Sequence, residues 1–304
     1  MVKRVLILVI ILNIYLNCFS QTAIEYFNRA NNKLDSGDYK GALVDYTNAI
    51  VLNSSNPNYY YSRGIVKYKL KDYRSAIADY DIAIDLNNTF DSAFNNRGNA
   101  EVEIQNYQGA INDYDKALEI NPLYKSAYVN RGDAKSDLLD NKGAMADYNK
   151  AIEVDSNYVA AYYNRGCLKD DLLDYRGAIT DYNKAIELDT TLENAFYNRG
   201  RLKGKFGDYY GAIADCNQGI EINPRNEEAY FFRGLYKAML KDYIGAMADY
   251  SKAIEIKPKN AKFYYQRGII KLALKQKESG CLDLSKAGEL GEDKAYDEIK
   301  KYCN

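Results

Sequence analysis

The chain of 304 residues contains no histidine. No imidazole is therefore available for a catalytic triad or as a metal ligand. Carboxylates are the remaining acid–base candidates, and two sets stand out: Asp133 with Asp137, and the adjacent Asp170 and Asp171. Paired carboxylates can hydrolyse sugars, but carboxylates are common on helical surfaces and neighbours at i, i+1 on a helix point apart. The sequence has no glycine-rich phosphate loop, no nucleophile elbow and no metal-ligand set. These features predict a non-catalytic protein without a cofactor or a metal. Lys and Arg total 41 against 42 Asp and Glu, a net charge of −1. Without a basic field, nucleic acid is excluded as an expected partner.

Five cysteines occur, Cys18, Cys167, Cys216, Cys281 and Cys303, at spacings that match neither a zinc site nor a CxxC motif. Two arrays of opposite charge are more regular. Arginine stands at 29, 63, 97, 131, 165, 199, 233 and 267, and aspartate at 45, 79, 113, 147, 181, 215, 249 and 283. Lysine follows the arginine by four residues in seven copies, with Glu101 as the exception. A row of arginines alone would suit an anionic polymer. Because an aspartate recurs as faithfully as each arginine, the pattern predicts Arg–Asp pairs inside or between repeats.

The elements that carry these residues follow from their period of 34. Glycine follows arginine in seven copies, from Arg63-Gly64 to Arg267-Gly268, and Ala30 stands in the first. Alanine or glycine recurs twelve and nineteen residues later, and a tyrosine sixteen residues later, replaced by Cys216 and Leu284 in two copies. Only four prolines occur, which favours helices over turn-rich β structure. In the fourth copy, Ala127, Tyr128, Gly132 and Lys135 fit a first helix near 125–138. Asn141-Lys142-Gly143 reads as the turn, and Ala144, Met145, Tyr148, Ala151 and Ile152 form an apolar stripe on a second helix near 142–155. Such a pair cannot bury its stripe alone, so stacking must complete the core.

On these residues the chain resembles the tetratricopeptide repeat family over about residues 23–290. The resemblance implies an all-α, right-handed α-solenoid of about eight helix-turn-helix repeats with a C-terminal cap helix. The repeats are assigned to 23–56, 57–90, 91–124, 125–158, 159–192, 193–226, 227–260 and a degenerate 261–291, with the cap at 292–304. In the eighth, Glu278-Ser279-Gly280-Cys281 departs from the pattern and Gly291 ends the second helix. Cys281 and Cys303 lie on either side of that turn, which predicts a disulfide across an antiparallel helix pair; two buried thiols are the alternative. Cys216 reads as a small core residue.

In this family the first helices line a concave groove. Carried onto this chain, the groove offers Asp133, Asp137, Tyr163, Asp170, Asp171 and Tyr197 in the middle, with Arg201 and Lys205 beside them. Toward the C-terminus it offers Phe231, Leu235, Met239, Tyr265, Ile269 and Leu272. The groove is thus expected to run from acidic to apolar. The implied function is a protein–protein interaction scaffold that takes a peptide or amphipathic helix of another protein, with the apolar end as the first choice of surface. Cover by the cap helix or a second copy is the alternative for that end. Binding of a glycan or cell-envelope polymer by the groove aromatics Tyr61, Tyr163, Tyr197, Phe231 and Tyr265 is the alternative function. Chaperone members of the family grip a carboxylate with groove lysines; the matching positions here are Phe27, Tyr61, Asn95, Val129, Tyr163, Tyr197, Phe231 and Tyr265, none basic. That mode is not expected. Asn28, Asn96, Asn130, Asn164 and Asn198, also in the groove, are expected to bond backbone or water.

The first 20 residues stand apart. Lys3 and Arg4 precede an apolar run from Val5 to Leu16 broken by Asn13, and small residues precede Gln21 at −3 and −1. This is the pattern of a secretory signal peptide at 1–20, cleaved before Gln21. The run is shorter than the roughly 20 residues that span a bilayer, so a retained membrane anchor is the lesser reading. A secreted or periplasmic protein is expected, with Cys18 lost with the signal and disulfides permitted among the rest.

Overall fold

A computed structural model describes residues 22–303; the predicted signal peptide lies outside them. Every regular element among the described residues is helical. The chain divides into two compact units, one ending at Ala161 and one beginning at Tyr162. The first holds α1 (22–35), α2 (Tyr39–Leu52), α3 (Pro57–Lys69), α4 (Tyr73–Leu86), α5 (Asp91–Glu103), α6 (Tyr107–Ile120), α7 (Lys125–Asp137) and α8 (Asn141–Val154). The division falls within α9 (Val159–Asp171). The second unit continues with α10 (Tyr175–Leu188), α11 (Glu193–Lys205), α12 (Tyr209–Ile222), α13 (Glu227–Met239), α14 (Tyr243–Ile256), α15 (Ala261–Ala273), α16 (Lys277–Glu289) and α17 (Lys294–Tyr302). Each unit is an α-solenoid of stacked helical hairpins.

In seven copies one aspartate or asparagine ends a first helix and starts a second; in the eighth Gln276 stands there without a side-chain cap. In the fourth copy the amide of Asp140 donates to the carbonyl of Lys135 at 2.8 Å and that of Leu139 to Ser136 at 2.8 Å. These bonds close α7 as a Schellman motif. The Asp140 carboxylate then accepts from the Gly143 amide at 3.0 Å and caps α8. The turn is therefore Leu138–Asp140, three residues earlier than the sequence suggested. Gly143 lies inside the helix, where a Cβ would stand 2.1 Å from the capping carboxylate. The left-handed residue of the turn is Leu139, at φ 62°. In the eighth copy the departure from pattern leaves α16 a regular helix. Gly280 crosses Gly268 so closely that a Cβ on it would lie 3.0 Å from the Gly268 carbonyl.

The core pairs small residues with rings. A Cβ on Gly64 would meet the Tyr80 ring at 2.6 Å, and Gly98, Gly132, Gly166 and Gly234 meet the tyrosine sixteen residues on in the same way. Cys216 breaks the series. It is buried, as expected, and Tyr236 from the following hairpin packs beside it against Ala212. Gly204 makes room for that ring: a Cβ there would stand 2.2 Å from Tyr236. The volume removed at 216 is thus returned from the neighbouring hairpin, as a core packed to crystal-like density requires.

The charged arrays are also internal. Arg233 donates from Nε to Asp249 Oδ2 at 3.0 Å and from Nη2 to Oδ1 at 2.6 Å. Its Nη1 reaches back one hairpin to Asn217 at 2.7 Å. Its guanidinium lies over the Tyr230 ring at 5.3 Å. Lys237 completes the set at 2.8 Å from Asp249. All eight arginines hold their aspartates in this bidentate way. Asp81, Asp115, Asn183 and Ser251 take the backward bond from Arg97, Arg131, Arg199 and Arg267. The pairs therefore act both inside and between hairpins.

Removing Arg165 strips the buried Asp181 of its bidentate partner and leaves Lys169 against it, so Arg165→Leu is expected to destabilise the second unit by about 3 kcal/mol, the low end for a broken buried pair; an unchanged denaturation midpoint would refute the tie. Asp113, which lacks the lysine because of Glu101, is the natural counter-test. Burial, only partly opposed by Arg97, holds its carboxyl above the usual range. Asp45, bonded by Arg29 and Lys33, is pulled down to about 2. The signs are opposite. Asp45 contributes stability above the ordinary carboxylate range that is lost as pH falls toward 2, whereas Asp113 costs stability as pH rises through that range to its own raised value. Glu101→Lys should restore the missing bond and raise stability at neutral pH by about 1–2 kcal/mol, with a smaller gain at pH 3, measured by urea denaturation at both pH values.

Candidate functional site

On the face formed by the first helices, most of the predicted groove residues bond to one another. In the first unit, Asn96 donates to the Tyr61 hydroxyl at 3.0 Å and Asn130 to Asn95 at 3.0 Å. In the second, Asn198 donates to the Tyr163 hydroxyl at 3.4 Å. These asparagines thus bond side chains of the preceding repeat, not backbone or water. Burial pushes the Tyr61 hydroxyl up to about 12.

Two of the four carboxylates of the expected acidic stretch are engaged inside the fold. Asp133, in the first unit, accepts from the Tyr148 hydroxyl at 2.6 Å, while Asp137 is exposed. In the second unit Asp170 is buried and paired with Arg201, while Asp171 is exposed. Lys205 lies over the Tyr175 ring at 3.8 Å. Each helix leaves one free carboxylate, too few for an acidic groove. The sequence could not show this, because Arg201 lies 31 residues from the aspartate it neutralises.

The groove aromatics are mostly packing residues. Tyr61 packs on Tyr80 and Phe90, Tyr163 on Tyr182, and Tyr197 against Phe232. Phe231 is wedged among Phe232, Tyr250 and Phe263, with ring centroids 5.1–5.8 Å apart. A platform of free rings for sugars is therefore not formed. Leu235 packs on the Cys216–Tyr236 cluster, and Met239 is 56% exposed. The expected continuous apolar end is thus broken at α13.

Tyr265, Ile269 and Leu272 behave differently. They pack against Leu284, Ala287 and Ala295 and also line an open cavity of about 660 Å³. Gln266 and Ala273 extend the α15 wall, and Lys277 stands at the start of α16. The opposite wall is the cap helix, through Glu298, Lys301 and Tyr302. Cover by the cap is therefore partial: α17 shields the last stripe and leaves a pocket in front of α15. Burial, then the carboxylates Glu298, Glu292 and Asp297, raise the Tyr265 hydroxyl. The Tyr302 ring lies 4.7 Å from the Lys301 ammonium. An apolar floor with tyrosines, two lysines and one glutamate at the rim suits an amphipathic chain segment. The cap's contribution was missed in the sequence.

Cys281 and Cys303 are joined in a disulfide, with their Cα atoms 5.8 Å apart. Cys167 and Cys216 are free thiols, and burial pushes Cys216 up to about 12. Among the described residues no group of three or more His, Cys, Asp or Glu is placed to hold a metal, and no helix is long and apolar enough to cross a membrane.

Stacked hairpins with a groove-facing pocket define a helical-repeat binding protein. Two family models agree in kind: one described as TPR repeat matches residues 30–71, 98–138, 140–168 and 240–275, and one described as tetratricopeptide repeat matches 159–191 and 193–226. Between them they take in well over half of the chain, which belongs to the tetratricopeptide repeat family. Among solved structures, the chain is similar to YrrB, described as a TPR protein with an unusual peptide-binding site (25% identity, TM-score 0.56, covering 62% of this chain and 97% of that one). It is similar to MamA (26% identity, TM-score 0.50, covering 54% and 96%). It also shares its fold with the C-terminal part of a TPR repeat-containing protein from Cytophaga hutchinsonii (18% identity, TM-score 0.60, covering 79% and 98%). A search of curated proteins found no match.

Proposed function

We propose that this protein is a non-catalytic adaptor that binds a peptide or amphipathic helix of another protein in the C-terminal pocket of its second unit. The carrying observation is that Tyr265, Ile269 and Leu272 line an open cavity of about 660 Å³ against the cap helix, whereas most groove rings of the earlier repeats are packed on neighbours and the cavity beside Ile65, Tyr68 and Asn96 in the first unit is smaller, about 220 Å³. An apolar cavity rimmed by a few charges is the common form of a recognition site. The likeness to YrrB, described as having a peptide-binding site, supports a peptide as the ligand. We place the mature chain outside the cytoplasm, in a periplasm or beyond the cell, after cleavage before Gln21. The Cys281–Cys303 disulfide is in keeping with an oxidising compartment.

Peptides selected from a displayed library on the oxidised mature chain should lose at least about tenfold in affinity on Ala273→Trp. This change fills the cavity from an exposed wall position and spares the packing beneath. Met239→Asp, outside the pocket, should leave the affinity unchanged. Equal binding by wild type and Ala273→Trp would place the ligand elsewhere. N-terminal sequencing of the protein from its native envelope should begin at Gln21; a retained Met1 would support a membrane anchor instead.

A further inference from the structure

The cap helix is held differently from every other element of the second unit. The hairpins from α9–α10 to α15–α16 each carry an Arg–Asp–Lys tie, but α17 takes part in none. It is nine residues long, and Ala295 is its one buried residue. Asp293 at its start makes no capping bond through its side chain. Tyr296 is 56% and Tyr302 43% exposed. A helix this short is not stable in water by itself, and Ala295, a partly buried Ile299 and the half-exposed Tyr296 ring over Gly288 are a small apolar hold. What remains is the Cys281–Cys303 bond, which closes a loop of sequence separation 22 and removes that segment's freedom to leave. Both cysteines are only partly buried, so a reductant can reach them.

The same helix is one wall of the pocket. Glu298, Lys301 and Tyr302 belong to α17, whereas the α15 wall is fixed by the Arg267–Asp283–Lys271 tie. We infer that the Cys281–Cys303 disulfide is a redox latch on the C-terminal pocket: oxidised, it holds α17 as the second wall; reduced, it lets α17 leave and the pocket loses its ligand. This inference rests on the reading of the pocket as the binding site. The co-reactant is a dithiol. Its thiolate attacks one sulfur, the S–S bond breaks, and a mixed disulfide forms. Its second thiol then displaces the protein sulfur. The protein gains two electrons and two protons as the thiols of Cys281 and Cys303, and the dithiol departs as its own disulfide.

The test uses the full mature chain, oxidised or treated with dithiothreitol, with thiol titration to establish the state of each sample. Hydrogen exchange of residues 292–303 should quicken at least about tenfold on reduction, while residues 261–290 keep their protection. A Cys281→Ser/Cys303→Ser variant should show the fast pattern without reductant. A peptide selected on the oxidised chain should bind the reduced chain at least about tenfold more weakly and recover on reoxidation. Unchanged exchange in 292–303 with both thiols free overturns the latch and leaves the binding site standing. Faster exchange with unchanged affinity overturns the control of the pocket. If no peptide binds the oxidised chain at this pocket, the functional reading fails, and with it control of binding; exchange alone then decides whether the disulfide holds the cap.

Discussion

The arginine on each first helix is the constraint on which the stack depends. It satisfies a carboxylate that the second helix buries almost completely, rests on a ring three residues earlier, and in most copies reaches back to the preceding hairpin. A buried carboxylate without that fork would have at most one lysine to offset its burial. A lysine could not replace the fork, because two parallel bonds and a third directed backward need a planar guanidinium. Such pairs add little net stability over apolar packing. What they fix is register: the arginine reaches both its aspartate and the neighbouring hairpin in one arrangement. The aspartates and arginines that looked like a charged ladder are therefore spent inside the fold.

Packing follows the same rule of local exchange. Glycine stands where a tyrosine ring crosses the first helix, and the ring fills the gap that glycine leaves. Where the ring is lost at Cys216, a ring appears at Tyr236 and a second glycine at 204 receives it. Volume is balanced between adjacent hairpins, so a substitution in one is felt first in its neighbour. That is the behaviour of a quasi-one-dimensional stack.

What the sequence made legible follows from this locality. Arg63-Gly64 and its copies, the alanines and the tyrosines recur at 34 because each sits in an equivalent packing environment, so hairpin architecture, Arg–Asp pairing and the cap helix could be read directly. The turn was misplaced because Gly143 looks like a turn glycine, although its glycine character comes from the carboxylate that caps its amide. The asparagines were assigned the wrong partners, and Asp170 was counted as free, because those contacts run between stacked helices at separations of 31 to 35 residues. Periodicity gives the positions on one hairpin. It does not give the offset with which the next one sits on it.

Binding capacity arises where this saturation ends. Within the repeats, most first-helix rings and asparagines are engaged by the following first helix, and the cavity left beside Ile65, Tyr68 and Asn96 is about 220 Å³. After α15 the described residues hold no such helix. The element that follows α16 is a nine-residue helix that sets Ala295, Ile299 and the Tyr296 ring against the hairpin, with the half-cystine Cys303 just after it. It is long enough to cover Leu284 and Ala287, and too short and too polar to fill the space before Tyr265, Ile269 and Leu272. The short second wall, more than any single residue, leaves the pocket open, and the residues beside it have a covalent hold in place of an arginine tie.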